Sequence, residues 1–265
     1  MPLQAARAFG LLAPSGHTPV ISDAPTRKEH RTASPIVLRA EKLTKRYGRF
    51  TALDSLDLEI NAGEVFALLG PNGSGKTTFL RLISGYALPS AGKLFIGERD
   101  AITESHSVRG RIGYVPESAP LYRDMRVEEF LLFMARLRGV REVDVGDAVQ
   151  RVAKQLALLP VLNRVTGTLS RGYRQRTALA QALVHDPDVL LLDEPTNGLD
   201  PRQIIELRSI IKDLKGRHTV IMSSHILSEV ARTAERVAIL LDGKLLGVRA
   251  VSDTPDLEDW FLSLT

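Results

Sequence analysis

Residues 70–78 read GPNGSGKTT, a glycine-rich stretch that ends in Lys76, Thr77 and Thr78. It fits the pattern G-x-x-x-x-G-K-[ST], in which glycines let consecutive backbone N–H groups turn towards phosphate oxygens. We expect Lys76 to reach the β- and γ-phosphates of a nucleotide and the Thr77 hydroxyl to bind Mg²⁺. The expected phosphate-binding residues are Gly70, Pro71, Asn72, Gly73, Ser74, Gly75, Lys76, Thr77 and Thr78.

Two acids and a histidine follow later in the chain. Asp193 and Glu194 end the apolar stretch DVLLLDEP, and His225 ends the stretch TVIMSSH. We expect Asp193 to hold Mg²⁺, directly or through water, and Glu194 to polarise the attacking water as a general base. A histidine at the end of a strand is commonly a packing residue. Here it would lie at the same sheet edge as Lys76, where an imidazole could contact the γ-phosphate.

Buried strands must position these groups. EVFALLG (64–70) and DVLLL (188–192) are nearly continuous in apolar residues, which is typical of strands covered on both faces. The pattern predicts a helix from Lys76 to Gly85 directly after the glycine-rich stretch, and a second helix from Arg176 before the acidic strand. Ligands bind at the carboxyl ends of strands in such sheets, so we expect one shared site there.

The rest of the pattern completes an α/β chain. Residues 36–48, 56–60 and 89–97 indicate strands, and residues 236–247 predict a hairpin with Asp-Gly at its turn. Residues 125–140 and 145–159 have the apolar spacing of helices. Residues 1–35 are rich in Pro, Ala, Ser, Thr and basic residues without a sustained period, and we predict a mostly disordered tail.

Composition excludes several classes of protein. The 265 residues include no cysteine, which rules out thiol catalysis, zinc-thiolate sites and iron–sulfur clusters. The formal net charge of +4 is mild and does not argue for nucleic acid as a partner. No apolar run approaches the 18–20 residues, roughly, that span a bilayer. We therefore expect no membrane crossing and no export signal, so that another chain supplies any pore.

A further segment, LSRGYRQR (169–176), gives the motifs a more specific meaning. Together with GPNGSGKTT, LLLDEPTNGLD and SSH in this order, it resembles the nucleotide-binding subunit of ATP-binding cassette (ABC) transporters, over about residues 36–247. The resemblance implies an α/β P-loop NTPase with a RecA-like parallel-sheet core, an antiparallel β subdomain and an inserted helical subdomain at about 118–175. Residues 248–265 would be a short C-terminal extension.

The family resemblance also implies a head-to-tail dimer around two ATP molecules and Mg²⁺. Ser170 and Gly172 of one subunit would contact the γ-phosphate held by the other, with Arg171 and Asp200 at the dimer interface. Tyr47, in KRYG, resembles the aromatic residue on which adenine stacks; the alternative is a tyrosine packed at a strand end.

Three positions depart from the commonest family pattern. Arg171 and Tyr173 replace Gly and Gln, while the Ser and Gly thought to touch phosphate remain. Glu117 stands where glutamine is usual, in a loop that in the family senses Mg²⁺ and γ-phosphate and links them to the helical subdomain. A carboxylate can still bind Mg²⁺ but adds negative charge beside ATP, so we expect nucleotide affinity to depend more on Mg²⁺ and pH.

The resemblance is strongest to the branch whose ATPases pair with a separate transmembrane permease of the bacterial exporter type. It implies an ATPase at the cytoplasmic face of the membrane, which works as a homodimer and contacts the membrane only through the permease. The alternative is a soluble ABC ATPase acting on ribosomes or nucleic acid, which one uninterrupted cassette without cysteine disfavours. A P-loop kinase or switch protein has no reason to carry LSRGYRQR.

Overall fold

The computed structural model describes residues 36–118, 120–254 and 256–264. The tail predicted for residues 1–35 lies outside this part of the chain. Ten strands form two sheets, and the helices pack around them. The α/β class predicted from the sequence is confirmed.

The first sheet is antiparallel, with strand order β2-β1-β4-β5. Its members are β1 (Ile36–Tyr47), β2 (Phe50–Asn61), β4 (Ala91–Ile96) and β5 (Arg99–Asp100). Buried and exposed side chains alternate along the second half of β2, as expected for a sheet with one face in the core. The turn between β1 and β2 sets Tyr47 opposite Phe50.

The second sheet carries the strands that lead to the predicted site, in the order β10-β9-β3-β8-β7-β6. Its members are β3 (Val65–Leu69), β6 (Ile112–Val115), β7 (Val189–Leu192), β8 (Thr219–Ser224), β9 (Arg236–Leu241) and β10 (Lys244–Ala250). All neighbours run parallel except β10, which pairs antiparallel with β9 and so confirms the predicted hairpin. β10 continues past Gly247, where the sequence suggested the end of the domain.

Eight helices complete the described part of the chain. They are α1 (Lys76–Ile83), α2 (Ser105–Arg109), α3 (Val127–Leu137), α4 (Val145–Gln155), α5 (Arg171–Leu183), α6 (Pro201–Leu214), α7 (Leu227–Thr233) and α8 (Leu257–Leu264). α3 and α4 lie within the stretch predicted as a helical subdomain and pack on each other and on α5. None of the helices in the described ranges is long and apolar enough to cross a membrane.

Helix boundaries differ from the apolar pattern at two places. α5 begins at Arg171 rather than Arg176, because Ser170 caps its first turn and thereby includes the polar residues 171–175. α6 was not predicted, although Asp200 and Pro201 are typical of a helix start. In both helices the first turn begins with polar or small residues, so hydrophobic spacing gives no signal for the helix start.

The core consists of two apolar clusters, one on each face of the parallel sheet. Val65, Ala67 and Leu69 of β3 join the cluster shared with the helices α3, α4 and α5. Phe66 and Leu68 point the other way and join the cluster shared with α1 and the antiparallel sheet. Successive side chains of a strand face opposite sides, so both layers are attached to the same strand. The carboxyl end of this strand is thereby held in place for the loop that follows.

Candidate active site

The glycine-rich stretch forms the loop between β3 and α1, as predicted. Gly75, the last residue before α1, has φ 105°, and a Cβ there would lie 2.6 Å from the carbonyl oxygen of Ala52. Only glycine tolerates both the dihedral angle and the close backbone approach. The loop therefore reaches the helix start with its N–H groups free to face an anion.

Lys76 is held at the mouth of this loop. Its Nζ donates hydrogen bonds to the carbonyl oxygens of Gly70, at 2.7 Å, and Pro71, at 3.1 Å. The same Nζ lies 3.5 Å from Glu194 Oε1, and both side chains are buried. Because this ammonium group is already desolvated in the folded chain, it can neutralise phosphate charge without a further desolvation cost.

Asp193 directly follows β7, which is separated from β3 by β8, and it contacts the residues at the end of the loop. The hydroxyls of Thr77 and Ser223 donate to its Oδ1 at 3.0 Å and 2.7 Å. Burial raises the pKa of Asp193 above its ordinary value; these two hydrogen bonds oppose the shift, and the charges of Glu194 and Glu117 add to it. A divalent cation would relieve this accumulation of negative charge. Ser223 was missed from the sequence, although it stands in the SSH stretch.

Glu194 is the most constrained residue of the site. Its backbone has φ 46°, in the left-handed region, and its N–H donates to Ser223 Oγ at 2.8 Å. Its carboxylate lies between Lys76 and His225, whose Nδ1 is 2.9 Å from Oε2. Since a carboxylate only accepts hydrogen bonds, Nδ1 carries the proton in this contact. Non-glycine residues with such φ values cluster at functional sites, because the surrounding fold must hold them there.

Glu117 reaches the same pocket after β6. Its Oε1 accepts a hydrogen bond from Asn197 Nδ2 at 2.8 Å. Asn197 was not among the predicted site residues; the only signal was its place in PTNGLD, directly after the acidic pair. The predicted proximity of Glu117 to Glu194 and the loop is therefore present, with an added amide partner.

These side chains surround a cavity of about 260 Å³. The residues that line it are Phe50, Ala52, Asn72, Gly73, Gly75, Lys76, Thr77, Thr78, Glu117, Glu194, Asn197 and His225. Phe50 is 62 % exposed and was missed from the sequence. Tyr47 does not line the cavity, and Lys45 Nζ lies 4.8 Å from its ring centre. Tyr47 and Phe50 are paired residues of the antiparallel ladder, and paired residues share a face. The two rings therefore lie on the same side of the hairpin.

The remaining predicted residues lie on a separate edge. Ser170 is the N-cap of α5 and Asp200 is the N-cap of α6; each accepts from a backbone N–H of its own helix. Gly172 is buried against the side chain of Gln203. Of the described residues that line the 260 Å³ cavity, none belongs to this group.

The donor set fits Mg²⁺ delivered together with a nucleotide. No group of three or more His, Cys, Asp or Glu that could hold a metal by itself occurs in residues 36–118, 120–254 and 256–264. Mg²⁺ prefers oxygen ligands and is commonly held by one or two carboxylates plus substrate phosphates. Thr77 Oγ1 and Asp193 Oδ1, 3.0 Å apart beside the phosphate loop, suit that arrangement.

Comparison with known proteins agrees with this geometry. The ABC transporter family model matches residues 53–197. The bacitracin transport ATP-binding protein BcrA of Bacillus licheniformis is 36% identical over 79% of this chain and 68% of its own length. The probable multidrug ABC transporter ATP-binding protein YbhF of Escherichia coli is 34% identical over 85% of this chain, which spans only 38% of YbhF.

A solved structure gives the same result for the fold. CbiO1 of Clostridium perfringens, described as part of the ABC transporter complex cbiONQ, superposes with a TM-score of 0.77 at 27% identity. The superposition covers 83% of this chain and 91% of CbiO1. The family match covers more than half of the chain and contains the phosphate loop, both acids and the α5 start, so the chain belongs to the ABC transporter family as one of its ATP-binding domains.

Proposed function

We propose that this chain binds and hydrolyses MgATP, as a pair of subunits that drives transport through a separate transmembrane permease. The observation that carries the proposal is the Glu194 carboxylate, buried beside the phosphate loop between Lys76 Nζ and His225 Nδ1. A carboxylate fixed from both sides beside a phosphate site is suited to orient water for attack on a terminal phosphate.

Each residue of the site has a distinct task in this reaction. Backbone N–H groups at the start of α1 and the Lys76 ammonium hold the phosphates and neutralise their charge. Glu194 accepts a hydrogen bond from the attacking water and takes its proton, and His225 keeps that carboxylate in place. Mg²⁺ would be held by Thr77, Asp193 and, as proposed, Glu117. When bound, it would withdraw charge from the phosphate oxygens.

The decisive experiment is Glu194→Gln in the full-length chain. The amide keeps the size of the side chain but cannot accept a proton, so ATP should bind with little change while hydrolysis falls by about 1000-fold. The bound state should accumulate as a dimer, measured by sedimentation with and without MgATP. Glu98→Gln, at an exposed glutamate between β4 and β5, is the matched control and should hydrolyse normally. Normal turnover in Glu194→Gln would exclude the general-base assignment.

The partner-binding part of the proposal rests on a groove beside α3. It has a volume of about 580 Å³ and is lined by exposed rings and chains, including Tyr86, Tyr122 and Leu137. Arg109 and Arg138 also line it, and none of its described lining residues is acidic. Burial lowers the pKa of Arg138, so a carboxylate from a partner would be favourable there. The groove suits a short segment of the permease with one apolar face and an acidic residue.

The groove is adjacent to the nucleotide site along the chain. Pro116 lines the groove, and the next residue, Glu117, lines the ATP cavity. Movement of this loop on nucleotide binding would therefore reach the partner directly. We propose a location at the cytoplasmic face of the membrane, with export as the direction, as the resemblance of the motifs to the exporter-type branch implies.

An exposed substitution tests the groove without disturbing the core. Leu137 is 66 % exposed within the groove and Val143 is 82 % exposed outside it. Leu137→Asp should reduce co-purification with the permease by at least about tenfold, since it adds a charge to an apolar contact, whereas Val143→Asp should not. ATP hydrolysis by the isolated chain should be the same in both variants. Equal co-purification would place the docking surface elsewhere.

A further inference from the structure

Asn197 contacts two separate segments, one through its side chain and one through its backbone. Its side-chain Nδ2 donates to Glu117 Oε1 at 2.8 Å, inside the ATP cavity. Its backbone carbonyl oxygen accepts from Arg171 Nη2, also at 2.8 Å. One residue therefore joins the loop after β6 to the start of α5.

The Glu117 end of this connection involves a charged acceptor. A carboxylate only accepts hydrogen bonds, so the amide of Asn197 must present its NH₂ group and the bond is charge-assisted. The oxygen used for Asn197 is also one that a divalent cation would attract. A cation bound to the nucleotide would thus compete with Asn197 for the Glu117 carboxylate.

The Arg171 end depends on the absence of a side chain at Gly198. Gly198 has φ +65°, and a Cβ built there would lie 2.2 Å from Arg171 Cζ. The guanidinium therefore lies directly against the Gly198 backbone. Arg171 departs from the commonest family pattern and was expected at the dimer interface; in this structure its guanidinium also contacts its own chain.

The connection ends beside the residues expected to meet the second ATP. Arg171 is the first residue of α5 and follows its N-cap, Ser170. At the other side, the Asn197 N–H donates to the carbonyl oxygen of Glu194 at 3.1 Å. The turn that starts at the general base is therefore the same turn that holds Arg171.

We propose that Glu117, Asn197 and Arg171 couple the two nucleotide sites of the dimer. In each subunit, Asn197 is a positioning residue: it reports the state of Glu117 in that subunit's own site to the α5 start that serves the opposite site. This inference rests on the proposed function, because it requires MgATP at the phosphate loop and a second copy.

The strength of the contacts suits such a role. Glu117, Asn197 and Arg171 are all exposed in the single chain. Exposed polar contacts contribute little to folding stability, so each can break and form without unfolding its surroundings. The same exposure means that substitutions here leave the fold intact.

Hydrogen exchange tests the connection within one subunit. The reporters are the backbone amides of Tyr173 and Arg174, in the first turn of α5. The full-length chain is kept dilute enough to sediment as a monomer, so that no partner touches α5. MgATP binding to the wild-type chain should change their exchange rates by about fivefold, the effect of making or losing one hydrogen bond.

Three variants separate the connection from other causes. Asn197→Ala and Arg171→Ala should each abolish the MgATP-dependent change while ATP is still bound, measured separately with a fluorescent ATP analogue. Arg174→Ala is the matched control, because its guanidinium donates to the Leu169 carbonyl oxygen just before the helix, at 3.0 Å; the Tyr173 amide is the reporter in this variant. A change that persists in Asn197→Ala, or that is absent in wild type with ATP bound, overturns the proposal.

Cooperativity of hydrolysis gives a second readout at dimer-forming concentrations. The Hill coefficient for ATP should be near 2 in wild type and near 1 in Asn197→Ala, since coupling between two sites is lost. The Asn197→Ala, Arg171→Ala double variant should have the same coefficient as either single variant. Hydrolysis without cooperativity in wild type would refute the coupling alone, whereas absence of ATP binding would refute the proposed function as well.

Discussion

Two regions of the molecule carry the residues that the sequence assigns to ATP, and they differ in how complete they are. At the carboxyl edge of the parallel sheet, Lys76, Asp193 and Glu194 are buried, and each contacts other groups of the site within the chain. At the α5–α6 edge, Ser170 and Asp200 are exposed and contact only their own helices. The first region is preassembled, whereas the second gains ligands only from outside.

The difference indicates where the free energy of nucleotide binding is used. A preassembled pocket needs little rearrangement to hold phosphate, so one chain can bind ATP alone. In the proposed dimer, the exposed edge acts only when a second chain carries a nucleotide to it. Binding and dimerisation should therefore be separable by substitution.

Among the substitutions that act on ATP affinity, Lys76→Ala should have the largest effect, because it removes a buried charge from the preassembled region. We expect ATP affinity to fall by about 100-fold, the value of charge-assisted contacts to phosphate. Titration with a fluorescent ATP analogue measures the effect, and Lys93→Ala, at an exposed lysine of β4, is the control. Affinity within a factor of about three of wild type would contradict the assignment of the phosphate loop.

Ser170→Asp should break the second region and leave the first unchanged. Aspartate still caps α5 but faces the partner's phosphates with a negative charge, so MgATP-dependent dimerisation should weaken by about 100-fold. Sedimentation in the Glu194→Gln background measures it, and Ser170→Asn, a neutral cap, is the matched control. ATP affinity of the monomer should not change. Equal dimerisation of the two variants would argue against Ser170 at the interface.

Phe50→Ala sharpens the boundary of the preassembled region. If the exposed ring contacts the adenine base of ATP, the affinity for ATP should fall by about tenfold, while the affinity for inorganic tripolyphosphate should equal that of wild type. Tyr47→Ala, measured in parallel, decides between the ring that lines the cavity and the one that the family resemblance suggests. Loss of both ligands in Phe50→Ala would indicate a structural effect on the hairpin instead.

Asp193→Asn should have the smallest effect in the absence of nucleotide, and it should be stabilising. Burial raises the pKa of Asp193, so the cost of its charge is fully present at neutral pH and disappears as pH falls below the ordinary value of 3.8. We expect the Tm of the nucleotide-free chain to rise by roughly 2 °C, with a difference that shrinks as pH is lowered. Thermal unfolding at several pH values measures it; a lower Tm at neutral pH would contradict the prediction.

The sequence predicts the preassembled region better than its surroundings for a physical reason. The phosphate loop, Asp193 and Glu194 stand directly after continuous apolar strands, so local pattern alone locates them. Ser223, Asn197 and Phe50 reach the site through tertiary contacts between distant segments, and no period in the sequence records those contacts. The predicted start of α5 lay later than the observed one, because a polar first turn has no apolar spacing.

Glu194 shows how function and stability are opposed at one position. Glycine or asparagine would adopt its left-handed backbone conformation at a lower energetic cost. Its buried carboxylate depends on the neighbouring Lys76 and His225. A population of variants selected for heat resistance alone should lose this acid early and retain the fold. If Glu194 is the general base, as proposed, the glutamate should persist only under selection for catalysis, and its identity in a related chain should indicate whether that chain still turns over ATP.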